Sequence, residues 1–213
     1  MRSERANPTE MAAIIGKKLG MTQVFRDDGT RVPVTVIEAG PCPVTAVRDA
    51  ERDGYAAVQL AFGEAPERRL TLAQLGHLKK AGASPARTLV EFRDQGEHEV
   101  GEVLTVEQFE PGEKVKVSGV AVGKGFQGTV RRHNFGRGPV SHGSHNIRAP
   151  GSIGASADPA RVFKGIRMPG RMGGKRVTQR RLEVVEVDTE RNLLLVRGAV
   201  PGPRNGTVEV RSE

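Results

Sequence analysis

With 213 residues, a formal net charge of +8 and a pI near 10.1, the chain has room for one large domain or two small ones, and its basic balance points to nucleic acid ahead of an acidic protein or a membrane. A single cysteine, Cys42, excludes an internal disulfide framework and any cysteine-cluster zinc site, and it suits a reducing, cytoplasmic setting. The absence of any run of about 18 apolar residues excludes a helical membrane span.

The polar opening, MRSERANPTE, lacks the apolar stretch of a signal peptide and reads as a flexible extension over residues 1–10. From Met11 the text becomes strand-like. Met11 to Ile15 is a short apolar strand, Gly16 to Thr22 a glycine-punctuated basic turn, and Gln23 to Arg26 resumes. Asp27-Asp28-Gly29 is a hairpin signal, and Arg31 to Glu38 returns as a valine-rich strand. Pro33 near its start fits an edge or a first position, because proline has no N–H to give to a ladder. Val44 to Arg48 and Tyr55 to Phe62 are two further strands joined by a turn over Asp49 to Gly54. Cys42, between Pro41 and Pro43, reads as a packed thiol.

Thr71 to Lys80 is the best helix, with Leu72, Leu75 and Leu78 on one side and Lys79-Lys80 placed to meet a helix C-terminus before Gly82. Leu89 to Arg93 is a strand, Val106 to Phe109 one helical turn, and Lys114 to Val120 alternates polar and apolar as a half-buried strand does. After a long interruption the alternation returns in Leu182 to Asp188, Leu193 to Arg197 and Thr207 to Arg211. Short strands with frequent turns favour a mainly β fold, a small β-barrel with one or two short helices.

The interruption, Gly119 to Arg181, holds 13 lysines and arginines, one acid (Asp158) and 13 of the 27 glycines. It therefore carries a formal +12, against −4 for the rest of the chain. So much like charge with so few apolar groups does not pack against itself in water. The stretch reads as a long basic, glycine-rich loop of residues 119–181, inserted between barrel strands of a globular domain made of 11–118 and 182–213. Half of its length, extended at about 3.3 Å per residue, reaches up to roughly 100 Å. A globular domain of about 150 residues has a radius of gyration near 15 Å.

Catalytic and cofactor motifs fail within this stretch. Gly123 to Gly128 matches G-x-G-x-x-G, but Thr129 to Gly136 is not the long amphipathic helix a dinucleotide site needs, and Arg148 stands where an acid is required. Gly170 to Lys175 fails as a phosphate loop, because Pro169 takes the place of the first glycine and Arg176 the place of the magnesium-binding hydroxyl. His142 and His145 have no neighbouring Cys or carboxylate to complete a metal site. No carboxylate pair lies in the stretch to do acid–base work, and Gly151-Ser152-Ile153-Gly154 has the wrong spacing for a nucleophile elbow. RNA contact is the positive reading. Glycines admit a phosphate backbone closely, arginine forks bind phosphates or stack on bases, and Phe126, Phe135 and Phe163 are candidates for stacking or for local anchoring.

Several segments together resemble the bacterial form of large-subunit ribosomal protein three. They are Ile15 to Phe25, Gly123 to Gly128, His142-Gly143-Ser144, Pro150 to Gly154, Pro159 to Gly165, Met168 to Val177 and Asn192 to Gly202, and the likeness covers the chain from about Ala12 onward. The resemblance implies a barrel on the large-subunit surface and an extension that penetrates 23S rRNA. It places a loop tip, Gly151, Ser152, Ile153, Gly154, Ala155, Ser156, Ala157, Asp158 and Pro159, near the peptidyl transferase centre. It also implies early binding near the 3′ end of that RNA, large-subunit proteins fourteen and nineteen as neighbours, and a cytoplasmic location in the 50S subunit. Some relatives carry a methylated glutamine where this chain has Ala157, so that modification is not expected here.

Residues and resemblance together give an rRNA-binding structural protein with no catalysis, cofactor, metal or small-molecule substrate. A free-standing RNA chaperone and an RNA-modifying enzyme on a β-barrel are the alternatives. The RNA-contacting set is Lys17, Lys18, Lys124, Phe126, Gln127, Arg131, Arg132, His133, Arg137, His142, His145, Arg148, Arg161, Lys164, Arg167, Arg171, Lys175, Arg176 and Arg180.

Overall fold

The computed structural model describes residues 12–93 and 98–213; the extension over 1–10 and the strand start at Met11 lie outside the described residues. The elements in order are β1 (Ala13–Phe25), β2 (Arg31–Ala39), β3 (Cys42–Arg48), α1 (Ala50–Asp53), β4 (Ala57–Glu64), α2 (Leu72–Lys80), β5 (Ala86–Phe92), β6 (Val103–Leu104), β7 (Lys114–Val120), β8 (Phe126–Gln127), α3 (Thr129–His133), β9 (Gly170–Arg171), β10 (Arg176–Asp188), β11 (Leu193–Arg197) and β12 (Thr207–Ser212). The fold is mainly β. By its contacts the chain divides into two units, residues 1–120 with 176–213, and residues 121–175.

The first unit is built on a closed barrel in the order β1-β12-β7-β10-β11-β2, with every pairing antiparallel. Closure removes the unpaired edges that an open sheet exposes. The core row is apolar: Ile37 from β2, Val115 and Val117 from β7, Val184, Leu194 and Val196 from β10 and β11, and Val208 and Val210 from β12 are all buried in one cluster. A second sheet, β5-β4-β3-β6, lies in the same unit. Its Cys42, Val44, Leu60 and Phe92 belong to one core cluster with Ala13, Ile14 and Ile15 of β1. That is why Ala13 to Gly16 are buried on both faces where an ordinary barrel strand buries one.

The structure corrects the chain-order reading at several points. Gly16 to Thr22 is not a turn but the middle of β1, which pairs with β2 from Gly16 to Phe25 and absorbs the irregularity as a bulge between Lys18 and Gly20. Gly16 is glycine because a Cβ there would stand 2.6 Å from Ile37 Cγ2 and 2.9 Å from the Glu38 carbonyl oxygen, so the residue serves close strand approach. Pro33 is the third residue of β2, not the first; it pairs with Gln23 of β1 and stands just past the last β11 pair, Arg197 with Val34, where one side of the strand has left the ladder. Its carbonyl accepts from the Gly198 N–H. The Asp49 to Gly54 turn is the one-turn helix α1.

In α2, Thr71 caps the N-terminus and forms a reciprocal capping box with Gln74. Only Leu78 of the three leucines is buried, packed with Ala61 and Ala86, while Leu72 is 87% exposed. The helix buries one residue of its C-terminal half, Leu78, and its first turn faces water. β10 starts at Arg176, six residues before the periodicity returns at Leu182. Residues Arg176 to Arg181 have exposed side chains, so pairing with β7, not an apolar face, makes them a strand.

Buried polar groups in this unit are satisfied. Thr35 Oγ1 donates to the Gly198 carbonyl at 2.6 Å, and Ser118 and Thr178 share a hydroxyl bond of 2.7 Å. The Cys42 thiol is buried beside the Ile15 carbonyl, and loss of water pushes its pKa up to about 12. A disulfide-exchange reagent at pH 8 is therefore expected to leave Cys42 unlabelled in the native protein and to label it fully in denaturant. Labelling of the native protein at the rate of a free thiol would contradict this packing.

Candidate nucleic-acid interface

The second unit, residues 121–175, is held by backbone rather than by a core. Its two legs bond reciprocally: the Ala121 and Gly174 N–H groups donate to the Lys175 and Ala121 carbonyls, each at 2.9 Å. The Lys124 N–H donates to Met172 O at 2.8 Å, the Met172 N–H to Gly125 O at 2.9 Å, and β8 then pairs with β9. Gly173 makes this approach possible. It sits at φ +70°, where a Cβ is strained, and a Cβ there would overlap the Val122 carbonyl oxygen. Beyond the legs, the Gly138 N–H donates to Ile147 O at 3.0 Å.

No apolar side chain of this unit is buried; Thr129 is its one buried side chain. Seven large apolar side chains stand exposed instead, among them Phe126 at 76% and Phe163 at 52%. The unit carries ten lysines and arginines against Asp158, a formal +9 in 55 residues. Among the described residues none of those ten makes a salt bridge, whereas every ion pair found lies in the first unit.

The residues picked out as RNA contacts therefore fall into two groups. Lys124, Arg131, Arg137, Arg148, Arg161, Lys164, Arg167, Arg171 and Lys175 are exposed and unpaired in the second unit, as are His142 and His145. Arg161 stands 5.5 Å from the centre of the Phe163 ring, a cation–π contact that leaves the guanidinium in water. Arg132 and His133 stand apart from these. The Arg132 guanidinium donates to the Met168 carbonyl at 2.6 Å, and His133 Nε2 lies 3.0 Å from the same oxygen. Together they clip α3 to the opposite leg. Gln127 likewise turns inward and donates to the Lys124 carbonyl. The tip, Gly151 to Asp158, is exposed throughout, with Ser152 Oγ donating to Gly154 O at 3.0 Å.

The four remaining picks belong to the first unit and have partners there. Lys18 Nζ donates to the carbonyls of Val200 at 2.7 Å and Gly202 at 3.1 Å, so its charge holds the loop before β12. Lys17 pairs with Glu38 at 3.7 Å, Arg176 with Glu209, and Arg180 with Glu213 at 2.6 Å. Sequence reading missed the β8–β9 ladder and the Met168 clip. The ladder leaves only a faint trace, two glycine-rich basic runs placed at either end of the stretch. Composition carries no trace of the clip, because an arginine bonded to a carbonyl looks the same in sequence as a free one.

Comparison with known proteins bears on the whole chain. The family model for Ribosomal protein L3 matches residues 77–193. The large ribosomal subunit protein uL3 of Synechococcus sp. strain JA-3-3Ab is 54% identical over 200 residues, covering 92% of this chain and 94% of that protein. The uL3 protein of Acidothermus cellulolyticus is 54% identical over 208 residues, with 96% and 94% covered, and that of Trichlorobacter lovleyi is 54% identical over 200 residues, with 93% and 95% covered.

The two groups of cations differ in what they hold, and thermal or denaturant unfolding of the free protein separates them. Lys18→Met removes two charge-assisted bonds and is expected to cost about 1–3 kcal/mol. Replacing Arg137, Arg148 and Lys164 together by Gln is expected to leave stability within about 0.5 kcal/mol of wild type, because none has a partner to lose. A larger loss in the triple variant would mean that these cations hold the fold.

Proposed function

The chain belongs to the ribosomal protein L3 family, and from that premise we propose that it is a structural constituent of the large ribosomal subunit that binds 23S rRNA directly through residues 121–175. It acts as a scaffold and not as an enzyme. The observation that supports RNA contact is the concentration of ten cations, nine of them unpaired, on a coreless, hydrogen-bonded loop. Lysines and arginines neutralise phosphates and release their counterions, which supplies most of the sequence-independent affinity. Arginine forks and the exposed rings of Phe126 and Phe163 offer stacking faces to unpaired bases.

On this reading the basic legs thread RNA, and the near-neutral tip, Gly151 to Pro159, approaches the peptidyl transferase centre. The barrel stays at the subunit surface beside large-subunit proteins fourteen and nineteen, in the cytoplasmic 50S particle. Binding comes early in assembly, near the 3′ end of the RNA. The paired cations Lys17, Lys18, Arg176 and Arg180 contribute less than the free ones, since each gives up an internal partner to reach a phosphate.

Sedimentation in high salt tests this proposal. The chain is expected to remain with isolated large subunits through a wash that strips loosely bound proteins, and its binding to naked 23S rRNA is expected to fall steeply with salt, log K losing about 0.7–0.9 per phosphate neutralised for each tenfold rise in salt. Release from the subunit in that wash would favour a free-standing RNA chaperone. A flat salt response would contradict the phosphate-binding mechanism.

A further inference from the structure

Residues 121–175 contain one concavity that the charge argument does not use. It is an open depression of about 450 Å³ lined by Phe135, Pro150, Ser152, Ile153, Gly165, Ile166 and Arg167. Its walls are an aromatic ring, a proline and two branched aliphatic side chains, with a hydroxyl and a guanidinium at the rim. These apolar groups have no core to belong to: Ile153 and Ile166 are 45% and 42% exposed. Ser152 already donates its hydroxyl to Gly154 O, so the cavity lining offers little hydrogen bonding apart from Arg167.

We propose that this concavity receives one unstacked nucleobase of the ribosomal RNA, an inference that rests on the RNA-binding reading above and deepens it. The surrounding charge selects the occupant. An apolar protein segment would have to sit among unpaired cations, whereas a nucleotide brings a flat apolar face for the walls and a phosphate for Arg167. The open hollow between Phe135, Pro150, Ile153 and Ile166 has room for a base turned out of its stack, which is how proteins read loops and bulges in RNA. Because Ser152 and Ile153 belong both to this wall and to the tip, the base would fix the root of the tip against the RNA.

The test uses the full chain and 23S rRNA. Ile166→Ala and Ile153→Ala each remove a wall and no charge. Each is expected to weaken binding about 5- to 100-fold, the range for loss of one stacked base, while leaving the slope of log K against log salt unchanged. Ile166→Leu is expected to bind within about twofold of wild type, in line with the small cost of volume-conserving apolar swaps. No buried apolar side chain exists in this unit to be disrupted, and an unchanged melting temperature would verify that the barrel is intact. A benzoylphenylalanine in place of Ile166 is expected to photo-crosslink to a single nucleotide, seen as one reverse-transcription stop. Unchanged affinity in both alanine variants would overturn the pocket, as would crosslinks spread along a helix or formed to another protein. Wild-type chain that fails to bind 23S rRNA would overturn the RNA reading and the pocket with it. Wild-type binding with unaffected alanine variants would overturn the pocket alone.

Discussion

Positive charge without a core is the constraint on which the rest of this molecule depends. Residues 121–175 carry ten cations and one carboxylate and bury no apolar side chain, so neither ion pairing nor hydrophobic burial offsets the cost of ordering them. Fixing each backbone residue costs about 1–2 kcal/mol, and an isolated two-stranded ladder is marginal in water. What holds the unit in the structure is a set of backbone bonds between its legs and the clip of Arg132 and His133 on the Met168 carbonyl. On the proposed function, such a segment would acquire its missing free energy from a polyanion, and RNA offers both the charge and the surface.

The first unit answers the opposite demand. Its barrel closes through six antiparallel pairings, its second sheet packs on β1, and several of its arginines sit beside carboxylates. Glu183 shows this well. The Arg197 guanidinium, and after it Arg26, hold its carboxyl below the usual range. Since its folded pKa is depressed, its stabilising effect is present at neutral pH and is lost only as the pH falls through that lowered value. The formal charge of this unit, close to zero, leaves the basic insertion as the strongly charged region.

Much of this division was legible in the sequence. Alternation placed β7 and β11 at their observed bounds, because each presents one face to the core and one to water. Charge counting marks 119–181 as one basic stretch, and the second unit by contacts is 121–175. The same rules failed where their physical basis is absent. β1 is buried on both faces and bulged, so its glycines looked like a turn. The first six residues of β10 bury no side chain, so no alternation marks them. The candidate site was legible as a composition but not as a geometry. Lys18 and Arg132 read as RNA contacts because sequence does not distinguish a cation aimed at a backbone carbonyl from one aimed at a phosphate. The concavity formed by Phe135, Ile153 and Ile166 joins residues from three separate segments of the insertion, and no periodicity links them.

The central claim is that residues 121–175 take their stability from RNA and the barrel takes its own from burial. Amide hydrogen exchange of the full chain, free and bound to 23S rRNA, tests it most directly, because protection reports the local cost of opening each bonded N–H. The account predicts that β7, β11 and β12 are protected in both states, and that the amides of Lys124, Met172 and Gly174 exchange rapidly in the free protein and slowly in the complex. Strong protection of those three amides in the free chain would contradict it.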